Sequence, residues 1–353
     1  MEIKAHGGDV YSYTRKTNKY PIDFSANINP FGLPEGVKKI LKEAIDDFAL
    51  YPDVMCSQLK NALSQYENIN KDYIFFGNGA ADLIYRLVYA IKPRRALLMA
   101  PTFSEYEAAL RNVDCSINYY YLKPEDTFKA KGDILNEIKD IDIFFICNPN
   151  NPTGMVVEKE LMLKIAKRCR EINCCLVIDE CFSDFMEEKN HYTCKEFIDK
   201  FDNVLILKAF TKTFAMAGLR LGYLLSSNKS ILTKLMMAGQ PWSVSVPAQL
   251  AGVEALKDKE YLEKTIRSTT IERKYLVKEL EALGLKVFEG YANYILFKLT
   301  KPIDLYTKLY NKGILIRKCE NYIGLDKSYF RVAIKGRSDN KMLIQALGEV
   351  LTV

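Results

Sequence analysis

The sequence is poor in histidine and tryptophan, with two of the first (His6 and His191) and one of the second. Two histidines exclude a histidine-rich metal centre, and a serine–histidine–aspartate triad would have to use one of them. No apolar run approaches the roughly 18 residues needed to cross a bilayer. Residues 1–8 hold no apolar stretch of the kind that forms a secretory signal. Nine cysteines are present, but none are paired at the Cys-x-x-Cys spacing of a zinc or redox site. Cys147, Cys174 and Cys175 lie in apolar runs, where a free thiol acts as a small hydrophobe. No disulfide framework is expected, and the expected compartment is the reducing cytoplasm. Charge of one sign is also scarce: 50 basic against 44 acidic side chains leave a net charge of +6. The densest basic cluster, Lys92-Pro93-Arg94-Arg95, reads as a solvated loop rather than a nucleic-acid patch. There is no internal repeat and no low-complexity tract. With 48% hydrophobic and 27% charged residues, the chain is neither disordered nor fibrous.

A length of 353 residues suggests about two domains. Between about residues 70 and 225, short apolar runs alternate with segments of helical periodicity. Residues 73–76, 96–99, 141–147, 175–178 and 204–207 read as strands covered on both faces. The stretch 158–172 between two of them carries Leu161, Ile165, Ala166 and Cys169 at helical spacing. The pattern predicts an α/β domain with a mainly parallel sheet. Residues 34–49 predict an amphipathic helix with Val37, Ile40, Leu41, Ala44, Ile45 and Phe48 on one face. After residue 245 come long helices, strands near 293–299 and 329–334, and a last helix from about Ser338. These predict a smaller α+β domain completed by the N-terminal segment. The expected division is 40–245 for the large domain, and 1–39 with 246–353 for the small one.

Parallel sheets bind ligands in the loops after their strands. Gly77-Asn78-Gly79-Ala80-Ala81-Asp82 is a glycine turn feeding a helix, which offers N–H groups to a phosphate or is simply a turn. Asn148-Pro149-Asn150-Asn151-Pro152-Thr153-Gly154 can aim an amide into a cleft or act only as a rigid turn. Asp179 closes a buried strand, where an acid needs a cation or several donors, the alternative being a helix cap. Lys212 lies among Phe210, Phe214 and Met216, with Thr211 and Arg220 nearby, and desolvation makes such an amine nucleophilic. An amine, a carboxylate, an amide and an anion cradle match the needs of pyridoxal 5′-phosphate.

On these motifs, in this order, the chain resembles the fold-type I pyridoxal-phosphate enzymes of the aminotransferase class I/II group. The pattern runs through Asn150-Asn151-Pro152-Thr153-Gly154, Asp179-Glu180-Cys181-Phe182 and Thr211-Lys212 up to Gly218-Leu219-Arg220-Leu221-Gly222-Tyr223. The resemblance implies a seven-stranded large domain and assigns roles by position. Lys212 would carry the cofactor covalently and shuttle protons at the substrate α-carbon. Asp179 would keep the ring nitrogen protonated, Asn151 would bond the phenolic oxygen, and Phe103 would stack on the ring. Gly79, Ala80, Thr211 and Arg220 would hold the cofactor phosphate. Tyr51 would reach the phosphate of a neighbouring subunit, which implies a homodimer. Arg331 would fork onto the substrate carboxylate.

Within the group, the chain is similar both to histidinol-phosphate aminotransferases and to the threonine-phosphate decarboxylases of cobalamin biosynthesis. Matches at His6-Gly7-Gly8, Asp23 to Pro30, Asp179 to Phe185, Pro241 to Val244 and Ile316 to Leu325 favour the second. By that resemblance His6, Gly7, Asn29, Asn151, Arg317 and Arg331 would bind a phosphorylated amino acid. The expected reaction is decarboxylation of L-threonine O-3-phosphate to (R)-1-aminopropan-2-yl phosphate. The alternative is transamination of histidinol phosphate with 2-oxoglutarate. The plain alternative for His6-Gly7-Gly8 is a frayed terminus. Phe182 stands where aminotransferases of the group usually have a tyrosine. Ala209 stands where a small hydroxyl residue is common, and Lys208 is expected to compensate by reaching the phosphate. A DNA-binding domain ahead of the core is not expected, because the core begins near residue 20.

Overall fold

A computed structural model describes residues 6–351. The strands are β1 (Ile22–Asp23), β2 (Ile74–Gly77), β3 (Arg95–Ala100), β4 (Ser116–Tyr121), β5 (Ile143–Cys147), β6 (Cys175–Asp179), β7 (Val204–Ala209) and β8 (Gly222–Leu225). They continue with β9 (Lys286–Phe288), β10 (Tyr294–Lys298), β11 (Ile314–Leu315), β12 (Arg317–Lys318) and β13 (Tyr329–Ala333). Strands β2 to β8 form one seven-stranded sheet in the order β2-β8-β7-β6-β5-β3-β4. It is parallel from β7 to β4, and β8 runs antiparallel to both β7 and β2.

The apolar runs are continuous because both faces of this sheet are covered. Leu97, Phe144, Ile146, Leu176, Ile178 and Ile206 feed the core on one face. Leu98, Phe145, Val177, Leu205 and Leu207 feed the core on the other. This alternation also decides where the polar residues at the strand ends go. Asp179 and Ala209 continue the second set, whereas Lys208 continues the first.

A four-stranded antiparallel sheet, β12-β13-β10-β9, packs with the helices Lys259–Ala282 and Arg337–Leu351 around a third core. Strand β1 pairs with β11 and brings the N-terminal segment to this unit.

Two expectations need correction. The helix expected over 34–49 spans Glu35–Glu43 and breaks at Ala44 into a 3-10 turn, Ile45–Ala49. Val37 and Ala44 are buried, but Ile45 and Phe48 lie in the tighter turn and face solvent. Strands β4 and β8 also exist, beyond the five runs read from the sequence. β4 is an edge strand with Tyr119 and Tyr120 half-buried and Tyr121 exposed, and β8 is four residues long and begins with glycine. All nine cysteines are buried and unpaired. Among the described residues no helix is long and apolar enough to cross a membrane.

Candidate active site

A cavity of about 420 Å³ opens at the carboxyl ends of β5, β6 and β7, and its wall includes Lys212, Asp179, Asn151, Arg220, Arg317 and Arg331. β7 ends at Ala209, and one helical turn, Phe210–Thr213, carries Lys212 onto the wall. Asn29 N–H donates to the Lys212 carbonyl at 3.1 Å and fixes that turn. Burial, then the Arg331 charge and after it that of Arg220, push the Lys212 amine down to about 8. About a fifth of the amine is then neutral at pH 7.4, against about a thousandth at the ordinary value, and the neutral form is the nucleophile.

Asp179 lies at the end of β6 and is buried. Its Oδ2 accepts from Tyr106 Oη at 2.6 Å, and Oδ1 accepts from Cys181 N at 2.9 Å. Tyr106 is itself held by stacking on Phe145 at 4.9 Å. No helix starts at Asp179, so it is not an N-cap; the chain turns and then makes a short 3-10 segment, Ser183–Phe185. Burial raises the Asp179 carboxyl above its ordinary value, while the two donors and Lys212 oppose that. A buried acid with neutral donors has room for a cationic partner.

The phosphate end is built on the helix Gly79–Ile91, whose first turn leaves backbone N–H groups without intrahelical partners. Gly79 has φ +79°, and a Cβ there would lie 2.6 Å from Arg220 Nη2. Only glycine lets the guanidinium press against the helix end. Among the described residues Arg220 makes just two long bonds, to Ala217 O at 3.4 Å and Asn78 O at 3.5 Å. Ala80, Thr211 and Phe103 share the wall.

At the opposite side, Asn151 Oδ1 accepts from Arg331 Nη1 and, at 3.3 Å, from Tyr322 Oη. Arg331 Nη2 donates to Ser25 O at 2.7 Å, and its buried Nε has no partner. Arg317 Nη2 donates to Asn321 Oδ1 at 3.0 Å, and its guanidinium lies 5.4 Å from the Tyr322 ring centre. Arg317 and Arg331 are register partners across β12 and β13.

His6-Gly7-Gly8 is docked at the cavity rather than frayed. Gly8 N donates to Ser25 Oγ at 2.8 Å, and a Cβ on Gly7 would lie 2.1 Å from Ser25 O. His6 and Gly7 line the wall.

Three expected residues are not brought into this cavity. Asn29 is buried with its amide committed to Thr213 O and Thr265 Oγ1, both at 2.7 Å, so it ties the fold together instead of facing a ligand. Lys208 lies on the other face of β7, with Nζ 2.8 Å from Glu67 Oε1 and 3.4 Å from Asp184 Oδ1. It cannot stand in for the hydroxyl that Ala209 lacks, because adjacent strand residues point to opposite faces. Tyr51 is 81% exposed and packs on Trp242 at 4.8 Å, away from its own chain's cavity.

The structure adds residues that the sequence did not single out. Asn27 lines the wall with its buried Oδ1 unpartnered. It belongs to the motif Asp23 to Pro30, but that motif holds asparagines two residues apart, and strand-like spacing cannot choose between them. Glu105, Tyr322, Cys147 and Cys181 also reach the wall. Burial pushes both thiols well up, so they are inert packing groups.

A model of the family "Aminotransferase class I and II" matches residues 19–347. The chain is 37% identical to the threonine-phosphate decarboxylase of Salmonella typhimurium, over 99% of this chain and 97% of that protein. The crystal structure of the histidinol-phosphate aminotransferase from Clostridium acetobutylicum superimposes with a TM-score of 0.88 at 33% identity, covering 94% of this chain and 99% of that one. A histidinol-phosphate aminotransferase from Sinorhizobium meliloti, solved with pyridoxal 5′-phosphate, shares the fold with a TM-score of 0.89 at 19% identity, covering 99% and 96%. The chain belongs to the aminotransferase class I and II family, has the fold-type I architecture, and is a pyridoxal-phosphate-dependent enzyme. The cavity fits that cofactor on its own chemistry: an amine with a depressed pKa, a buried acid short of a cation, and a helix end facing an arginine that no acid neutralises among the described residues.

Proposed function

We propose, from membership of this family and the charges in the cavity, that the protein decarboxylates L-threonine O-3-phosphate to (R)-1-aminopropan-2-yl phosphate, a reaction of cobalamin biosynthesis. One observation carries this reading. Arg317 and Arg331 face each other in register, both buried, and neither pairs with an acid among the described residues. Like charges directly opposite on a sheet repel. A ligand with two neighbouring anionic groups removes that cost. Threonine phosphate has them, a carboxylate on Cα and a phosphate on the oxygen of Cβ. Histidinol phosphate has one anionic group and no carboxylate, and its transamination brings two anionic groups only with the second substrate, 2-oxoglutarate.

Lys212 would hold the cofactor, with Asp179 at the ring nitrogen, Asn151 at the phenolic oxygen and Phe103 against the ring face. The Asn151 amide nitrogen has no hydrogen-bond partner among the described residues, which supports that role. Gly79, Ala80, Thr211 and Arg220 would hold the cofactor phosphate. Bound in this way, pyridoxal phosphate supplies an electron sink for the pair left on the α-carbon. Arg331 grips the substrate carboxylate. Arg317, His6, Gly7 and Asn27 surround its phosphate, and anchoring both ends sets which α-carbon bond stands out of the ring plane. Binding energy at the remote phosphate offsets the contacts the carboxylate gives up as it leaves. The bond from the α-carbon to the carboxylate breaks and carbon dioxide departs, and Lys212 then delivers a proton from Nζ to the electron pair left on the α-carbon. Phe182 packs edge-on against Tyr294 at 5.0 Å and offers no hydroxyl to the ring.

The assembly belongs to the same reading. Ile45, Phe48, Leu50 and Tyr51 form an exposed apolar surface that a second subunit would cover, with Tyr51 reaching the neighbouring cofactor phosphate. The proposed division keeps 40–245 as the cofactor domain and joins 1–39 to 246–353, with a cytoplasmic location. The test is direct: incubation with threonine phosphate, and separately with histidinol phosphate plus 2-oxoglutarate, measuring carbon dioxide and glutamate. Carbon dioxide from the first is expected. Glutamate from the second with no carbon dioxide from the first would overturn the assignment in favour of transamination.

A further inference from the structure

The cavity is built to receive anions, so an acid on its wall needs a reason. Asp179 has one at the ring nitrogen. Glu105 stands at the mouth, on the helix Ser104–Arg111, and takes no part in the mechanism above. Its Oε1 lies 3.0 Å from His6 Nε2, and its Oε2 accepts from Tyr85 Oη at 2.9 Å. Burial first, then the bond to Glu105, push the Tyr85 hydroxyl up to about 12, so it stays a donor. A relay therefore runs from the helix Gly79–Ile91, through Glu105, to the N-terminal strap. The strap has one other polar anchor at this point, Gly8 N to Ser25 Oγ, and Ser25 Oγ is itself tied to Asp23 at 2.5 Å.

We propose that Glu105 is a positioning residue: it holds the His6 imidazole across the open side of the cavity and keeps the strap closed on the phosphate end of the substrate. The phosphate end rests on the substrate reading above, whereas the closed strap does not. With Nε2 directed at Glu105, Nδ1 is the ring nitrogen left for a ligand. A negative charge here would repel a phosphorylated substrate if it stood alone. Spent on His6, it orients instead a ring that, as the imidazolium, donates from Nδ1 toward that substrate. The competing explanation is that Glu105 merely favours the N-terminus of its helix, as acids in a first turn do. Glu107 occupies the same first turn, paired with Arg111 and not with the strap, and provides the control.

The experiment combines hydrogen exchange with steady-state kinetics on the cofactor-loaded enzyme. Glu105→Ala should speed amide exchange at Gly8 and raise KM for threonine phosphate about tenfold, the size expected for one charge-assisted hydrogen bond, while kcat stays within about twofold. Glu105→Gln, whose amide oxygen still accepts from His6, should fall between the parent and the alanine variant. Glu107→Gln should leave both readouts at parent values. Unchanged exchange at Gly8 in Glu105→Ala would overturn the proposal, as would equal effects of Glu107→Gln, or a fall in kcat with KM unmoved. The exchange readout needs no turnover. A loosened strap in an enzyme that ignores threonine phosphate would therefore refute the substrate reading and leave the closed strap standing.

Discussion

Lys208→Met separates two roles for a lysine that stands four residues before Lys212. On the far face of the sheet from the cavity, its Nζ lies 2.8 Å from Glu67 and 3.4 Å from Asp184. At an effective dielectric near 20, these distances correspond to gross attractions of ~6 and ~5 kcal/mol, which desolvation largely offsets. Methionine keeps most of the volume but strands two buried carboxylates, although Lys195 and Lys189 still reach them. Removing one partner of such a network costs about 3–5 kcal/mol, and that loss is the expected result in urea unfolding at neutral pH. Glu67→Gln added to Lys208→Met should recover part of it, because the stranded charge is gone. The pH dependence has a definite sign. Glu67 is held well below its ordinary 4.5, chiefly by Lys208 and Lys189 against the cost of burial. Its contribution is complete above that value and is lost as pH falls through the lower folded pKa. The gap between parent and variant should therefore narrow below about pH 4.5, where protonation relieves the variant's unbalanced charge. Cofactor affinity should stay near parent. A stability loss under about 1 kcal/mol, or a large loss of cofactor affinity with normal stability, would refute a purely structural network.

Other substitutions should act inside the cavity. Lys212→Ala should still bind the cofactor but lose turnover, and borohydride reduction of the parent should place the adduct on Lys212; an adduct on another lysine would reject the assignment. Capture of the cofactor by apoenzyme should rise with pH to half-maximum near 8, the value to which the Lys212 amine is depressed, and a rate still climbing above pH 9.5 would contradict it. Asp179→Asn keeps an oxygen to accept from Cys181 N, and its amide nitrogen can donate to a reoriented Tyr106 hydroxyl, but it removes an ion pair of ~4 kcal/mol at about 4 Å. Turnover should fall steeply with little change in melting temperature, and near-normal turnover would argue against a charge role. Arg331→Ala should weaken substrate and Arg220→Ala cofactor, each by about 2–5 kcal/mol; loss of cofactor affinity alone in both would undo the division.

The strands of the large sheet were legible because β5, β6 and β7 are buried on both faces and read as continuous apolar runs. β4 was not, since an edge strand needs no such run. The proposed cofactor end of the site was read from motifs in which chain order dictates position: Asp179 closes one strand and Lys212 follows the end of another, where such a sheet places its ligands. The substrate end depends on residues far apart in sequence, and side-chain direction decides it. Asn27 and Asn29 share a motif, yet one faces the cavity and the other ties Thr213 to Thr265. Lys208 and Ala209 are neighbours on a strand that sends them to opposite faces, and the alternation of Val204 to Leu207 already contains that answer.

The large sheet acts as a partition between two electrical compartments. On one face, three lysines (Lys189, Lys195 and Lys208) share two carboxylates (Glu67 and Asp184), so that every charge lies beside an opposite one supplied by the chain itself. On the other, Arg220, Arg317 and Arg331 line the cavity with no acid partner among the described residues, and on the proposed reading their counter-charges arrive with small molecules. Dissolved anions reach these two populations unequally, because the cavity admits small ions whereas the Lys208–Glu67 pair is sealed in the core, where salt screens little. Raising ionic strength should therefore erode affinity for phosphorylated ligands while leaving the unfolding free energy nearly constant. In a crowded, anion-rich solution the protein would stay folded while competing anions throttle its occupancy, so the partition separates the durability of the scaffold from the responsiveness of the site.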